Sequence, residues 1–155
     1  MNTDYAYFGF ELHYSDIPRK IIAEEFIQNA ENELYDYKVW CFNGKAHYVQ
    51  FLSERNTELK MAFYDRDWNK QNFVYSVPMD TKENKKPKNL ELLLELAEKL
   101  SAGFNHVRVD FYITNDGRFY FGEMTFTSCN GISDWRPKET NLMLGNLIEL
   151  NKEKS

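Results

Sequence analysis

Two acidic residues, Asp110 and Glu123, occupy strand-like segments on either side of the short sequence 115–117. Apolar and aromatic residues dominate both segments, and Asp-Gly between such segments is a strong signal for a β-hairpin with a type I′ turn. With Asp116 and Gly117 as the two turn residues, Asp110 is predicted to lie opposite Glu123. Like charges that face each other directly across a hairpin destabilise a sheet unless something compensates them.

The same register pairs Asn115 with Arg118 and Arg108 with Thr125. Side chains alternate between the two faces of a strand, so Arg108 and Thr125 are predicted to share a face with the two acids. A cation bound between the acids would explain the arrangement, and so would a pair in which the charge of one acid raises the pKa of the other. Two alternatives remain: a three-residue turn would shift the register by one, and Arg108 could simply neutralise an acid on a solvated face.

Composition limits the class of protein. The 155 residues suit one domain, and a hydrophobic content of 43% is enough for a core. The net charge of −5 argues against a nucleic-acid partner. No transmembrane segment and no secretory signal are expected. The two cysteines, Cys41 and Cys129, form no CxxC motif, so zinc is not expected and cytoplasmic localisation is predicted.

Several short patterns predict a sheet that is mainly antiparallel. Strands are predicted at residues 21–27, 34–42, 46–52 and 58–64, followed by the two strands of the acidic hairpin. Asn43-Gly44 is a second type I′ turn signal. Strands that precede and follow a helix, rather than alternating with helices, are typical of an α+β fold.

Two helices complete the prediction. The first spans residues 89–102, with Asn89 as its N-cap and Gly103 as its terminator. Its apolar face is predicted to comprise Leu93, Leu96, Ala97 and Leu100. The second helix is expected to begin at Pro137 and to bury Leu144, Leu147, Ile148 and Leu150.

The acidic hairpin also resembles a known family. Arg108-Val-Asp-Phe and Phe121-Gly-Glu-Met-Thr-Phe resemble the metal-binding hairpin of ATP-grasp enzymes. Further stretches resemble the TupA-like subfamily, named after a teichuronopeptide-biosynthesis protein: residues 21–27, 36–45, 63–69 and the leucine-rich helix that leads to His106. The resemblance implies a single domain at 1–155 that is like the C-terminal subdomain of the ATP-grasp fold. The subdomain that carries a lysine and a glycine-containing loop is expected to be absent.

The resemblance implies roles in binding Mg²⁺ and phosphate. Asp110 and Glu123 match the acidic Mg²⁺ ligands, and Thr125 stands where many ATP-grasp enzymes have an asparagine ligand. Arg108 matches a catalytic basic residue near the transferred phosphoryl group. Mg²⁺ is usually held by one or two carboxylates together with substrate phosphates, which suits this set.

The resemblance also implies where ATP would bind. Asp36 matches an acidic position that bonds the ribose hydroxyls, and Lys38, on the same strand face, is placed to reach a phosphate. The hinge segment, whose backbone reads adenine, corresponds to Glu24, Glu25, Phe26 and Ile27.

Two functions of different class follow from these expectations. The first is an ATP- and Mg²⁺-dependent carboxylate–amine ligase in cell-surface polymer biosynthesis, completed by a missing amino-terminal segment or a partner chain. The second is a non-catalytic binding domain that keeps the fold, and a two-carboxylate metal hydrolase is a weaker third. Asp65 and Asp67 are interpreted as a structural loop. An acceptor substrate would contact part of loop 127–136, with Asn130, Asp134, Trp135 and Arg136 as candidates.

Overall fold

A computed structural model describes residues 11–27, 35–53, 58–114 and 116–150. Its main element is a five-stranded antiparallel sheet in the order β3-β2-β1-β5-β6. Those strands are β1 (Tyr35–Phe42), β2 (Lys45–Ser53), β3 (Lys60–Tyr64), β5 (His106–Ile113) and β6 (Phe119–Thr125). A small second sheet pairs β4 (Val74–Tyr75) with β7 (Trp135–Arg136). With helices α1 (Leu90–Ser101) and α2 (Thr140–Gly145), the predicted α+β class is confirmed.

The turn between β1 and β2 follows its sequence signal. Asn43 and Gly44 have φ values of 50° and 74°, the left-handed conformation that a type I′ turn requires at both central residues. None of the helices in the described ranges is long and apolar enough to span a membrane.

Helix α1 packs on one face of the sheet. Its buried stripe begins at Leu90, so the apolar spacing starts one turn earlier than predicted, and the stripe comprises Leu90, Leu93, Leu94, Ala97 and Ser101. Leu100, predicted to be buried, is 40% exposed. Asn89 is the N-cap residue as predicted, but its side chain makes no capping hydrogen bond; its backbone oxygen accepts from Leu93 N.

The opposite face of the sheet is divided into two parts. One part is an aromatic cluster that also covers the small sheet, built mainly from Trp40, Phe42, Phe63, Phe73, Tyr75 and Trp135. The other part, on β1 and β5, carries charged side chains. Alternation along β1 explains the contrast between faces, since Tyr37, Val39 and Cys41 point to the helix side.

Two predicted elements differ from the structure. Residues 21–27 form no strand, because they pair with no neighbour in the described sheet; Phe26 is 83% exposed. Helix α2 begins at Thr140, whose N–H bonds to Pro137 O, rather than at Pro137 itself. It ends at Gly145, so Leu147 and Ile148 pack against the aromatic cluster from beyond the helix, and Leu150 is exposed.

Candidate functional site

The outer half of the β5–β6 hairpin has a register one residue away from the predicted one. Thr114 N donates to Arg118 O at 3.1 Å, so the turn is longer than the predicted two residues. Asn115, predicted to pair with Arg118, lies outside the described residues. The outer pairs are Ile113–Phe119, Tyr112–Tyr120 and Phe111–Phe121.

A β-bulge restores the predicted register at the base of the hairpin. Val109 pairs with Met124, and Arg108 pairs with Thr125 as predicted. Between these pairs and the outer ones, Gly122 and Glu123 together face Asp110, which is the two-against-one arrangement of a bulge. Asp110 and Glu123 are therefore not directly paired, contrary to the prediction, although both contact the same arginine.

Arg108 joins the two carboxylates. Its Nε and Nη2 donate to the two oxygens of Asp110 at 2.7 and 2.8 Å, a bidentate pair. Nη2 also donates to Glu123 Oε1 and to Thr125 Oγ1, each at 2.9 Å. Nη1 donates to Ser128 Oγ at 3.2 Å. The four residues that the hairpin was predicted to bring together are thus in contact.

Strand β1 extends this network. Lys38 pairs in register with Asp110, and its Nζ contacts Asp110 Oδ2 and lies 3.0 Å from Asp36 Oδ2. Charges of opposite sign therefore alternate along a chain of five side chains: Asp36, Lys38, Asp110, Arg108 and Glu123. We call this chain the charge network.

Burial and charge act in opposite directions on Arg108. Burial disfavours its positive charge, but hydrogen bonds from its guanidinium to Asp110, the charge of Asp110 and smaller effects of Tyr75 and Glu123 raise its pKa above the usual value. Arg108 is 8% exposed and Asp110 is 2% exposed. Because both side chains are buried, removing either one would leave the other as an uncompensated buried charge and would destabilise the fold.

Three buried residues, Gln50, Trp40 and Tyr75, form hydrogen bonds next to the charge network. Gln50 Oε1 accepts from Trp40 Nε1 at 2.9 Å and from the Tyr75 hydroxyl at 3.2 Å. Burial raises the pKa of Tyr75, so this hydroxyl stays protonated and remains a donor. These bonds satisfy the polar atoms where the aromatic cluster meets the charged part of the face.

A cleft of about 1040 Å³ opens on the charge network. The predicted site residues in its wall are Glu24, Glu25, Phe26, Ile27, Asp36, Lys38, Asp110 and Glu123. The predicted hinge segment is therefore beside the predicted metal ligands, although it forms no strand. A cleft of this size is suited to a small-molecule ligand.

Five further residues line the cleft that were not predicted as site residues: Tyr112, Arg118, Tyr120, Phe121 and Gly122. Arg118 pairs with Asp116 at 2.8 Å, and its guanidinium carbon lies 5.9 Å from the centre of the Tyr120 ring. The three-residue turn, weighed as an alternative, would have revealed Arg118 and Tyr120, because it moves both to the face of Asp110.

A second cavity, of about 580 Å³, contains the other predicted residues. Arg108 and Thr125 line it, and Glu123 lines both this cavity and the cleft. The remaining wall comprises Glu11, Tyr14, Met124, Thr127, Cys129 and Asn130.

Of the loop candidates, only Asn130 lines the second cavity. Trp135 belongs to the aromatic cluster, and Arg136 donates to Val77 O. The structural interpretation of Asp65 is confirmed, since its Oδ1 accepts from the N–H groups of Asp67 and Asn69 at 3.0 and 2.8 Å.

The donor chemistry of the charge network fits Mg²⁺. Asp110 and Glu123 supply carboxylate oxygens, which a hard cation prefers. Among the described residues, no group of three or more His, Cys, Asp and Glu side chains is placed to hold a metal. The ion would therefore need oxygens from a ligand or water, as is usual for Mg²⁺ bound with phosphates.

A family model for TupA-like ATP-grasp proteins matches residues 1–149. The chain belongs to the TupA-like ATP-grasp family. No curated protein matches the chain. Among solved structures, this ATP-grasp chain is similar to the ATP-grasp ligase PsnB, complexed with a phosphomimetic variant of its minimal precursor, Mg and ADP. The two are 11% identical with a TM-score of 0.36, and the match covers 74% of this chain and 32% of PsnB. The chain thus spans about a third of PsnB.

Proposed function

We propose that this domain binds Mg-ATP in the cleft and is the catalytic part of a carboxylate–amine ligase that acts in the cytoplasm on cell-surface polymer precursors. The observation that supports the proposal is the shared cleft. The hinge segment 24–27, the ribose-binding candidate Asp36 and the carboxylates Asp110 and Glu123 all line it. Because the chain belongs to an ATP-grasp family, we interpret the residues that share this cleft as a site for Mg-ATP.

Each part of the nucleotide has a candidate partner in the wall. In this proposal the backbone of residues 24–27 binds adenine, Asp36 binds the ribose hydroxyls and Lys38 binds a phosphate. Asp110 and Glu123 hold Mg²⁺, with Thr125 as a further oxygen donor. The ion neutralises charge on the phosphates during transfer.

Arg108 has two tasks in this proposal. Its bidentate bond fixes Asp110, and its Nη2 contact fixes Glu123, so the carboxylates are held in place before a ligand arrives. Its position between the cleft and the second cavity also lets it stabilise the phosphoryl group during transfer to a carboxylate. That transfer releases ADP and gives an acyl phosphate. An amine then attacks the acyl carbon and displaces inorganic phosphate to form the amide, which needs orientation rather than a protein nucleophile.

We propose that the lysine and the glycine-containing loop implied by the family come from outside residues 1–155, on the same chain or a partner. A non-catalytic binding domain is the second candidate. One observation favours it: Lys38 and Arg108 already form ion pairs with Asp110, so this carboxylate has counter-charges without a metal.

Calorimetry distinguishes these candidates. Mg-ATP is titrated into the wild type, Asp110→Asn and Glu123→Gln, with Glu95→Gln as the matched control, because Glu95 is an exposed helix residue paired with Lys99. We expect binding by the wild type and the control, and loss of binding in both site variants and in wild type with EDTA. Equal heats from all four proteins would refute the metal assignment, and no heat from the wild type would favour the non-catalytic domain.

A further inference from the structure

The wall of the second cavity contains a buried acid that the proposed chemistry does not use. Glu11 is 5% exposed, and its Oε1 accepts one hydrogen bond, from Thr127 Oγ1 at 2.6 Å. It forms no ion pair with any residue in the described ranges. A buried carboxylate without a cation is unfavourable, so the position suits a cationic ligand group.

The same cavity also contains a donor suited to an anion. A guanidinium has five N–H groups, two of them on Nη1. Nη1 of Arg108 donates a single bond within the described part of the chain, to Ser128 Oγ. One N–H of this buried cation therefore remains for an acceptor in the cavity.

The remaining wall, which also includes Met124, supplies further polar groups, and the cavity has a suitable size. Tyr14 and Thr127 contribute hydroxyl groups, and Asn130 contributes an amide. The volume of about 580 Å³ is within the usual range for sites that bind small molecules. Two acids and one base line the cavity, but Glu123 already accepts from Arg108 Nη2, so Glu11 is the acid that remains for a cationic group. Glu11 and Arg108 are together complementary to a ligand that carries both charges.

We propose that the second cavity binds an amino acid, or the amino-acid end of a larger acceptor, as a zwitterion. Glu11 binds its ammonium group, and Arg108 binds its carboxylate. The inference rests on the proposed function. Glu123 lines both the nucleotide cleft and the second cavity, so the carboxylate of the bound amino acid would lie beside the phosphoryl donor. Glu11 is then a specificity-determining residue.

Ligand-observed saturation-transfer NMR tests the proposal with three probes. L-Alanine carries both charges, N-acetyl-L-alanine lacks the ammonium and L-alaninamide lacks the carboxylate. We expect the wild type to bind alanine at least about tenfold more tightly than either analogue, as charged hydrogen bonds predict. Equal binding of the three probes, or no binding of alanine, would overturn the proposal.

Glu11→Gln tests the residue itself. Glutamine keeps an acceptor for Thr127 but removes the charge, so the preference for alanine over N-acetylalanine should fall about tenfold. The preference over alaninamide and the binding of Mg-ATP should not change, and Glu95→Gln should behave as wild type. An unchanged preference in Glu11→Gln would refute its role. If that variant does not fold, the three probes on the wild type still decide.

The outcomes separate this inference from the proposed function. Mg-ATP binding without discrimination among the probes would refute only the amino-acid site. Discrimination without Mg-ATP binding would refute the ligase and leave the amino-acid site standing.

Discussion

Replacing Arg108 with methionine should destabilise the domain strongly. Methionine has a similar length and fills the space of the alkyl chain, but it removes every hydrogen bond that the guanidinium donates. The charge network then changes from a net charge of −1 to −2, with Asp110 still buried.

The magnitude follows from the cost of an uncompensated buried charge. Removing one partner of a buried ion pair costs about 3–5 kcal/mol, although Lys38 offsets part of this here. In a domain of this length, 1 kcal/mol corresponds to about 2–4 °C in Tm, so we expect Arg108→Met to melt about 6–20 °C below the wild type.

Urea unfolding followed by circular dichroism, supported by thermal melts, measures this loss. The matched control is Arg118→Met, since Arg118 forms an exposed pair with Asp116 that should contribute little to stability. Mg²⁺ should stabilise Arg108→Met more than the wild type, because the ion can compensate the two carboxylates that Arg108 leaves.

Two results would refute this reasoning. A loss below about 1 kcal/mol in Arg108→Met would show that the buried network contributes no more than a surface pair. A similar loss in Arg118→Met would show that removing any arginine from this hairpin is equally damaging.

Three further predictions concern single residues. Burial and the charge of Arg108 lower the pKa of His106, so the unfolded chain binds protons more readily than the folded one. The free energy of unfolding should therefore decrease as the pH falls below about 6.5. Urea titration at several pH values should show a smaller decrease in His106→Asn. Burial raises the pKa of Cys41 to about 11, so a thiol reagent should label exposed Cys129 in the native protein and Cys41 only after denaturation. A Cβ on Gly122 would lie 3.1 Å from Asp110 O, so Gly122→Ala should cost about 1–3 kcal/mol and weaken Mg-ATP binding, and an unchanged urea midpoint would contradict this.

Local patterns predicted the elements that position the site. The turn at Asn43-Gly44, the spacing of Leu93 and Ala97, and the base pair Arg108–Thr125 all depend on residues close in sequence. These signals brought Arg108, Asp110 and Glu123 together, as the structure confirms.

The parts that were missed depend on distant partners. A strand at 21–27 was predicted from β-forming residues, but a strand also needs a neighbour to pair with. The bulge opposite Asp110 shifts the pairing of the two strands by one residue, and Gly122 is its only local sequence signal. Glu11 accepts a hydrogen bond from Thr127, more than a hundred residues away, and no local pattern predicts that contact.

The bulge determines which side chains line the outer part of the cleft. Continuous pairing from the base would turn Phe119 and Phe121 toward the face of Asp110. The extra residue turns Arg118 and Tyr120 there instead. Phe121 still reaches this wall, so the bulge adds a cation and a hydroxyl group to an aromatic side chain. One residue of backbone length thus determines which side chains form that wall, without any change to the charged side chains at the base.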